Sequence, residues 1–549
     1  MKFFITILKY ILLSALLCNF AYAQNGKQKK EEINISSSFK PSIIKSSKIE
    51  FRPEGIARDT SAYKFKYEPV RLSFSTPMSG FTIKPLVYEP EELKLDSNAA
   101  FIQLGYGNLS SPQIAASLTR SKNNQFLSGH ADYFSVKGKL LDQQHAIGTG
   151  GLTFKKRISE THQYFASLGI EDHNYRTYGF DRTVLNNISS NALKQHITKF
   201  NLQTSLTNVA DEEGKLSVRP LARFQFLSNN KGFTNFETLL ELPFEYKLKN
   251  NLLLNANPNL NLLHSKEENL APTNAYILQF PIGVNYIVNQ IKVDVNAQPV
   301  LLKTGFKLLP NLNIAYDLKE KHFRLSGGYR NQFEMNSFNR LFSLNPFILP
   351  FSNTPVYEKH AFYSGFNWYN SSGLQLSFEA AYVKHQNLAL YVNSGFLGKD
   401  FATIFESTLK TIDFESYLTY RLDEKISLKS RIKWMIFQYQ SNFEKPYGVL
   451  PFEMNSGAIW QPIKKLSIQL NTQIWAGSYA KSQRSPSVTK LKNAVDINVG
   501  IDYKFNENWA IWLDLNNIAN QQYQRWNQYD SYGFNFRGGV KYAFGKTNR

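Results

Sequence analysis

The sequence predicts an all-β protein, a transmembrane antiparallel β-barrel of about 22 strands with a short extended N-terminal periplasmic segment. Three observations carry this prediction. Apolar and polar residues alternate with period two over long runs from about Ala99 onward. The chain of 549 residues is 14% aromatic, with 42 Phe and 30 Tyr, yet its mean hydropathy is −0.35. No apolar stretch beyond the N-terminus reaches the ~18–20 residues a helical span needs, so crossing by helices is excluded.

The N-terminus supplies an address. Residues 1–23 read as a secretory signal, with Lys2 and Lys9 as the positive region and Ile11 to Leu17 as the apolar region. Ala21-Tyr22-Ala23 is the cleavage site, before Gln24. A lipoprotein signal through Cys18 is disfavoured, because Leu17 stands where such processing wants a small residue. Export and a β-barrel together imply the outer membrane of a Gram-negative bacterium. Residues 24–98 follow as extended pieces punctuated by Lys40-Pro41, Arg52-Pro53, Glu68-Pro69, Lys84-Pro85 and Glu89-Pro90. They are expected in the periplasm, as a reduced plug or as a dock for a periplasmic protein. Residues 99–549 are the expected barrel.

Within the barrel the strands are read from alternation. Val495, Ile497, Val499 and Ile501 share one face, and Asp496, Asn498, Asp502 and Lys504 the other. Ile291, Val293 and Val295 alternate with Lys292 and Asp294, and Leu240 to Leu248 repeat the pattern. Strands of a soluble sandwich are usually about five or six residues long. Many of these runs reach ten, matching the ~9–11 residues of a tilted membrane strand. The starts fall near residues 99, 112, 125, 145, 161, 192, 214, 235, 251, 275, 291, 305, 321, 360, 373, 402, 425, 451, 465, 489, 508 and 532.

Connection lengths test that segmentation. Outer-membrane barrels have short periplasmic turns and long outer loops. Long stretches follow odd strands, at 178–191, 265–274, 337–359, 392–401, 442–450, 480–488 and 524–531. Tight turns follow even strands, as at Lys122-Asn123-Asn124, Asn370-Ser371-Ser372, Asp423-Glu424 and Asn506-Glu507-Asn508. The connection near Gly305 is the exception. Pro243, Pro258, Pro281, Pro299 and Pro310 fall inside strand segments, where bulges are expected. Local curvature is the plain reading of them, and a wall seam that opens is the functional one.

Chemistry is sparse. There is no nucleophile elbow and no phosphate-cradling Gly-rich loop with Lys-Ser/Thr. One Cys and nine scattered His give no zinc pattern, so no catalytic residue, metal or cofactor is expected. Removing Lys2 and Lys9 with the signal leaves 61 basic against 43 acidic residues, or +18. Export argues against nucleic acid as the partner of that charge. Rim contacts with phospholipid and lipopolysaccharide phosphates are the economical reading, and a basic lumen for anionic solutes the alternative. The longest loop, 337–359, carries Phe338, Phe342, Phe347 and Phe351. A loop that apolar must cover something, first of all the barrel mouth, with ligand or partner contact as alternatives. Trp526 and Tyr529 read as girdle or mouth residues.

The last forty residues carry a resemblance. Asn517-Ile518-Ala519-Asn520-Gln521-Gln522-Tyr523 resembles the Asn-Leu-Phe-Asn-x-x-Tyr ending of the penultimate strand in TonB-dependent receptors. Tyr532 to Phe544 resembles their closing strand in Bacteroidetes-type bacteria. Phe101-Ile102-Gln103-Leu104-Gly105-Tyr106-Gly107-Asn108 looks like the first strand of a plugless receptor-like barrel family from the same bacteria. The resemblance implies that Gly539, Tyr542 and Phe544 form the signal read by the barrel-assembly machinery, with Gly545–Arg549 running past the usual terminal aromatic. Arg537 and Lys541 would then face the lumen. Such receptors carry a plug of well over a hundred residues, and 24–98 is shorter and has no plug-like pattern. Glu32-Ile33-Asn34-Ile35 is the one stretch that loosely matches a TonB-engaging box. The expected function is receptor-like uptake of a solute, with coupling to TonB unsettled. The alternative is a non-transporting outer-membrane scaffold or assembly partner.

Overall fold

The computed structural model describes residues 98–544, apart from 183–187, 209–212, 269, 319–321, 352, 371–372, 423–424 and 483–484. The signal over 1–23, most of 24–98, the turn residues Ser371, Ser372, Asp423 and Glu424, and the tail Gly545–Arg549 therefore lie outside the described residues. The wall opens with β1 (Asn98–Gly107), β2 (Gln113–Lys122), β3 (Gln125–Lys137), β4 (Gln144–Arg157), β5 (His162–Arg176) and β6 (Lys194–Asn208). Four split strands follow: β7 (Leu216–Val218 with Leu221–Asn229), β8 (Thr234–Glu241 with Phe244–Lys249), β9 (Leu252–Ala256 with Asn259–Lys266) and β10 (Thr273–Gln279 with Ile282–Val288). Next come β11 (Ile291–Leu302), β12 (Gly305–Leu318), β13 (Phe323–Met335), β14 (Val356–Tyr369), β15 (Leu374–Gln386) and β16 (Leu409–Leu422). The circuit ends with β17 (Ile426–Gln440), β18 (Phe452–Ile463), β19 (Leu466–Ala476), β20 (Ala494–Lys504), β21 (Trp509–Asn516) and β22 (Asn535–Phe544).

The sheet's 26 segments are thus 22 wall strands, because each of four strands is split in two. Every neighbour pair is antiparallel, and β1 pairs with β22 from Ala100↔Phe544 to Gly107↔Arg537, closing the barrel. Closure removes all sheet edges, as strands in lipid require. Alternation sorts the faces. On β22, Phe536, Val540 and Phe544 are 43–45% exposed, whereas Arg537 and Lys541 are 5% and 8% exposed inside. A polar side that is buried and an apolar side that is bare is inverted relative to a soluble barrel, and it is the arrangement a bilayer stabilises.

Parity also holds. Turns such as 123–124, 250–251, 289–290 and 464–465 follow even strands, and 177–193, 336–355, 387–408, 477–493 and 517–534 follow odd ones. Two starts differ for the same reason. The strand expected near residue 402 begins at Leu409, because Asp400–Glu406 pairs instead with Leu388–Ser394 in a hairpin beyond the wall, and the strand expected near 489 begins at Ala494, because Ser485–Lys490 pairs with Tyr479–Ser482. Alternation cannot tell a rim hairpin from a wall strand. The strand expected near 360 begins earlier, at Val356.

The prolines correct a second expectation. No bulge forms at them in β7–β10. Ser205 pairs with Leu221 and Asn208 with Val218, so equal numbers of residues face each other across Pro220. The same holds at Pro243, Pro258 and Pro281. What is lost is one ladder bond per pair. Leu206, Arg219, Leu242, Asn257 and Phe280 each donate N–H to the carbonyl of Pro220, Pro243, Pro258, Pro281 and Pro299 respectively. Proline has no N–H to return. Register aligns these five gaps in a band across β6–β11, rather than along any one strand pair.

Candidate functional site

The mouth at the long-loop end is where the structure concentrates contacts. Its centre is the loop 336–355 between β13 and β14. Ser337 caps a short helix, α1 (Phe338–Leu344), accepting from Arg340 N at 3.2 Å. At the other end Asn345 N–H donates to Leu341 O at 2.9 Å. α1 presents Phe338, Leu341 and Phe342, all at most 3% exposed. Helical spacing alone would leave that face bare on a loop, so it must be covered by the barrel.

The wall covers it. His173 of β5, Lys199 of β6 and Gln225 of β7 sit on the inward face, opposite in parity to the exposed Ile170, Phe200 and Phe226. Phe342 packs edge-on to the His173 ring at 5.7 Å, and Lys199 Nζ stands 4.8 Å above the Phe342 ring. Lys199 Nζ also donates to Ser343 Oγ at 3.2 Å, and Asn339 Nδ2 donates to Gln225 Oε1 at 3.2 Å. The loop is therefore folded into the lumen. At its base Arg340 pairs with Glu334, donates to Asn336 Oδ1 at 3.0 Å and lies 5.3 Å from the Tyr357 ring.

Two further loops lock onto this lid. Leu349 N–H donates to Phe401 O at 2.8 Å, and Phe401 N–H to Phe347 O at 2.9 Å. Phe347 stacks on Tyr529 at 3.6 Å, while Trp526 meets Tyr391 and Phe401 at 5.1 and 5.6 Å. Phe351 stands 6.0 Å from Phe405. The four Phe residues of the loop thus share one buried cluster with Trp526 and Tyr529. Burial pushes the Tyr178 phenol, beside Tyr529, up to about 12.

Two carboxylates hold the surrounding loops. Asp142 accepts from Arg176, Arg182 and Ser190 at 2.7–2.8 Å, tying 138–143 to 177–193. Burial alone would raise its pKa, but the hydroxyl and the two guanidinium groups outweigh it and hold the carboxyl below its usual value. Glu406, fully buried, ends the 388–406 hairpin and accepts from the backbone N–H of Thr408, Ser441, Asn442 and Phe443 at 3.0–3.2 Å. There too burial works upward, and the donors, Ser441 first, win downward.

Below the lid the wall forms a polar depression of about 330 Å³ beside Gly151 and Gly169, framed by Thr149, Asn201, Arg223 and Gln225. The remaining lumen residues fall in two groups. Lys292 and Asp294 are 3.5 Å apart on β11, with Asn313 donating to Asp294 at 2.8 Å. On the opposite stretch of wall, Asp496, Asn498, Asp502 and Lys504 lie on β20, and Arg537 and Lys541 on β22. Arg537 reaches Asp514 of β21 at 3.7 Å. Asp496 accepts from Tyr523 OH, and Asn498 Oδ1 from Asn517 N–H at 2.9 Å, so these two belong to the base of the mouth loop 517–534. Gly539, Tyr542 and Phe544 lie on the closing strand, where Tyr542 packs against Trp509 at 4.7 Å. Among the described residues no group of three His, Cys, Asp or Glu side chains could hold a metal. Lys199, His173, Gln225 and Asn339 were not singled out by the sequence. Their only signal is the parity that puts the first three inward.

No protein family model matches the chain, and no curated protein matches it. Solved structures do. The ferric enterobactin receptor PfeA from Pseudomonas aeruginosa superposes with a TM-score of 0.59 at 10% identity, over 82% of this chain and 80% of that one. The siderophore receptor PirA from Acinetobacter baumannii gives 0.61 at 10% identity, over 82% and 81%. The FrpB iron transporter from Neisseria meningitidis gives 0.62 at 13% identity, over 82% of each. At such identities the likeness establishes a shared barrel fold.

Proposed function

We propose that the chain is an outer-membrane receptor-like barrel that takes up a solute through a mouth gated by the loop 336–355. One observation carries this reading: the interior is polar, and a loop from the barrel's own wall is folded into it by specific contacts. A lumen bounded by 22 strands must be plugged or conduct. The barrels it superposes on are, by their names, a siderophore receptor, an iron transporter and a ferric enterobactin receptor, which supports transport as the class. On this reading the long loops face outward, the short turns face the periplasm, and the host is Gram-negative. Coupling to TonB and a plugging role for 24–98 are parts of the same proposal, as are handling by the barrel-assembly machinery and rim contact with lipopolysaccharide.

Single-channel recording of the full-length protein in planar bilayers tests it. Wild type is expected to conduct weakly. Phe342→Ala together with Arg340→Ala, which remove both the tip and the base contacts of the lid, should raise the open probability at least tenfold. Silence in both forms, with no release of small sugars from proteoliposomes, would favour the scaffold alternative.

A further inference from the structure

The proline band has a neighbour on the outside of the wall. A furrow of about 490 Å³ lies there, on the apolar face. It runs along β7, whose outward side chains at that level are Pro220 and Ala222. Tyr164 and Leu206 form one bank and Leu240 and Leu242 the other. Register produces the shape. Ala222 sits opposite Leu240 on one side and Thr204 on the other, and Thr204 sits opposite Ala166, so a run of short outward residues lies beside Leu240. Beyond Leu242 the same lining continues over Pro258, below Leu260 and Leu278.

We propose that this furrow is a binding site for one phospholipid of the periplasmic leaflet, with an acyl chain over Pro220 and Ala222. Four arguments converge. The furrow is continuous with the bare apolar belt, where Leu202, Phe226, Leu262 and Phe280 are 36–44% exposed. Its occupant is therefore what the belt already faces. Its depth fits one leaflet. Pro220 and Ala222 lie four and six residues inside the start of β7. At ~3.3 Å per residue and a tilt near 40°, that is about 10–15 Å from the short-turn rim, within half of a ~30 Å hydrocarbon core. Its width selects a chain over a helix. At Pro220 the banks, Leu206 and Leu242, are two strand spacings apart, about 10 Å, and their own side chains narrow that gap, whereas a helix needs about 10–12 Å clear. The rim supplies charge, since the exposed Lys249 stands where β8 ends, at phosphate level.

The site rests on the membrane orientation proposed above but not on transport. Native mass spectrometry of the full-length protein, released from vesicles containing phosphatidylglycerol and lipopolysaccharide, reads it directly. Wild type should retain one phosphatidylglycerol. Ala222→Phe, which fills the floor from the lipid side, should cut its occupancy at least tenfold. Lys249→Glu should reduce it measurably, by about twofold or more. Heat-modifiable migration on gels confirms that each variant is a folded barrel. Equal occupancy in wild type and Ala222→Phe overturns the proposal, as does retention of lipopolysaccharide in place of phospholipid, which belongs to the other leaflet. Failure of the transport reading would appear in conductance and leave lipid occupancy untouched.

Discussion

Asp142 and Glu406 illustrate what a single carboxylate does at the rim of a barrel. Asp142 sits at φ 64, a backbone region that Asn also tolerates. Asp142→Asn therefore keeps the turn and removes the charge that Arg176 and Arg182 share. Hydrogen bonds to a charged group contribute about 1.5–3 kcal/mol, so a loss near 2 kcal/mol should speed amide exchange in the described parts of 177–193 roughly 30-fold. Unchanged exchange would mean that the aromatic cluster alone holds that loop. Glu406→Ala should be worse, because four backbone N–H groups lose one common acceptor in a buried place. Both carboxyls titrate below their usual values in the folded protein. Their contribution is therefore complete above about pH 5 and is lost as pH falls through the depressed folded values. Limited proteolysis of intact proteoliposomes should find 177–193 and 441–451 protected at pH 7 and cleaved near pH 3. Cleavage that instead increases toward pH 8 would reverse the sign and sink the assignment. Neither residue was legible in the sequence. Nothing in a run of letters places Arg176, Arg182 and Ser190 around Asp142, since the end of β5 and the folding of two loops, 138–143 and 177–193, assemble that group.

At the level of the strand, the proline band shows which part of an element a sequence reveals. Four of the five band prolines, and the donor each removes, were singled out; Pro220 was not, and Pro310, which was, pairs with Ala297 outside the band. The alignment of the band was not legible, because it depends on the register of six strands at once. A gap confined to one strand pair would let that pair part, which is the seam reading. Five gaps in a band across β6–β11 leave every pair joined above and below, so the wall is weakened against bending rather than unzipping. Restoring one donor tests this. Pro258→Val would allow an N–H to the Leu242 carbonyl. A returned bond contributes about 0.5–1.5 kcal/mol, and losing proline's restriction of the unfolded chain costs about 0.4–1 kcal/mol. Global stability should therefore shift little. Local exchange should shift more: the amides of Leu242 and Asn257 should slow severalfold, while those of β2–β4 stay constant. Slowing that spreads to the whole barrel would mean the band does not open locally. The rim hairpin Leu388–Ser394 with Asp400–Glu406 makes the complementary point. Its alternation equals that of a wall strand, so period alone placed a start near residue 402. Only pairing partners separate the two.

For the whole molecule, strand number, parity and the sorting of faces were readable, because a bilayer imposes them on every strand alike. The lid was readable only as an apolar loop needing cover. Closure brings two backbones into close contact at Gly539, a residue that the resemblance marks for a different reason, as part of the assembly signal. Gly539 of β22 pairs with Gly105 of β1. A Cβ on Gly539 would lie 2.6 Å from Gly105 Cα and overlap the Leu104 carbonyl. Both obstacles are backbone, so no rotamer relieves them. The Trp512 ring occupies the space over Gly105, so the inward face there is already filled. Gly539→Val should thus force β1 and β22 apart and expose the edges that a membrane barrel must pair. The expected result is loss of the heat-modifiable form and accumulation of unassembled chain, with at most about a tenth of wild-type barrel in membranes. Gly148→Ala is the matched control, because a Cβ there meets nothing within 4 Å. It should assemble normally. If Gly539→Val assembles as well as Gly148→Ala, the closing pair tolerates separation. The last strand would then be held by its outward aromatics, Tyr542 against Trp509 and Phe544, and truncating those would become the decisive variant.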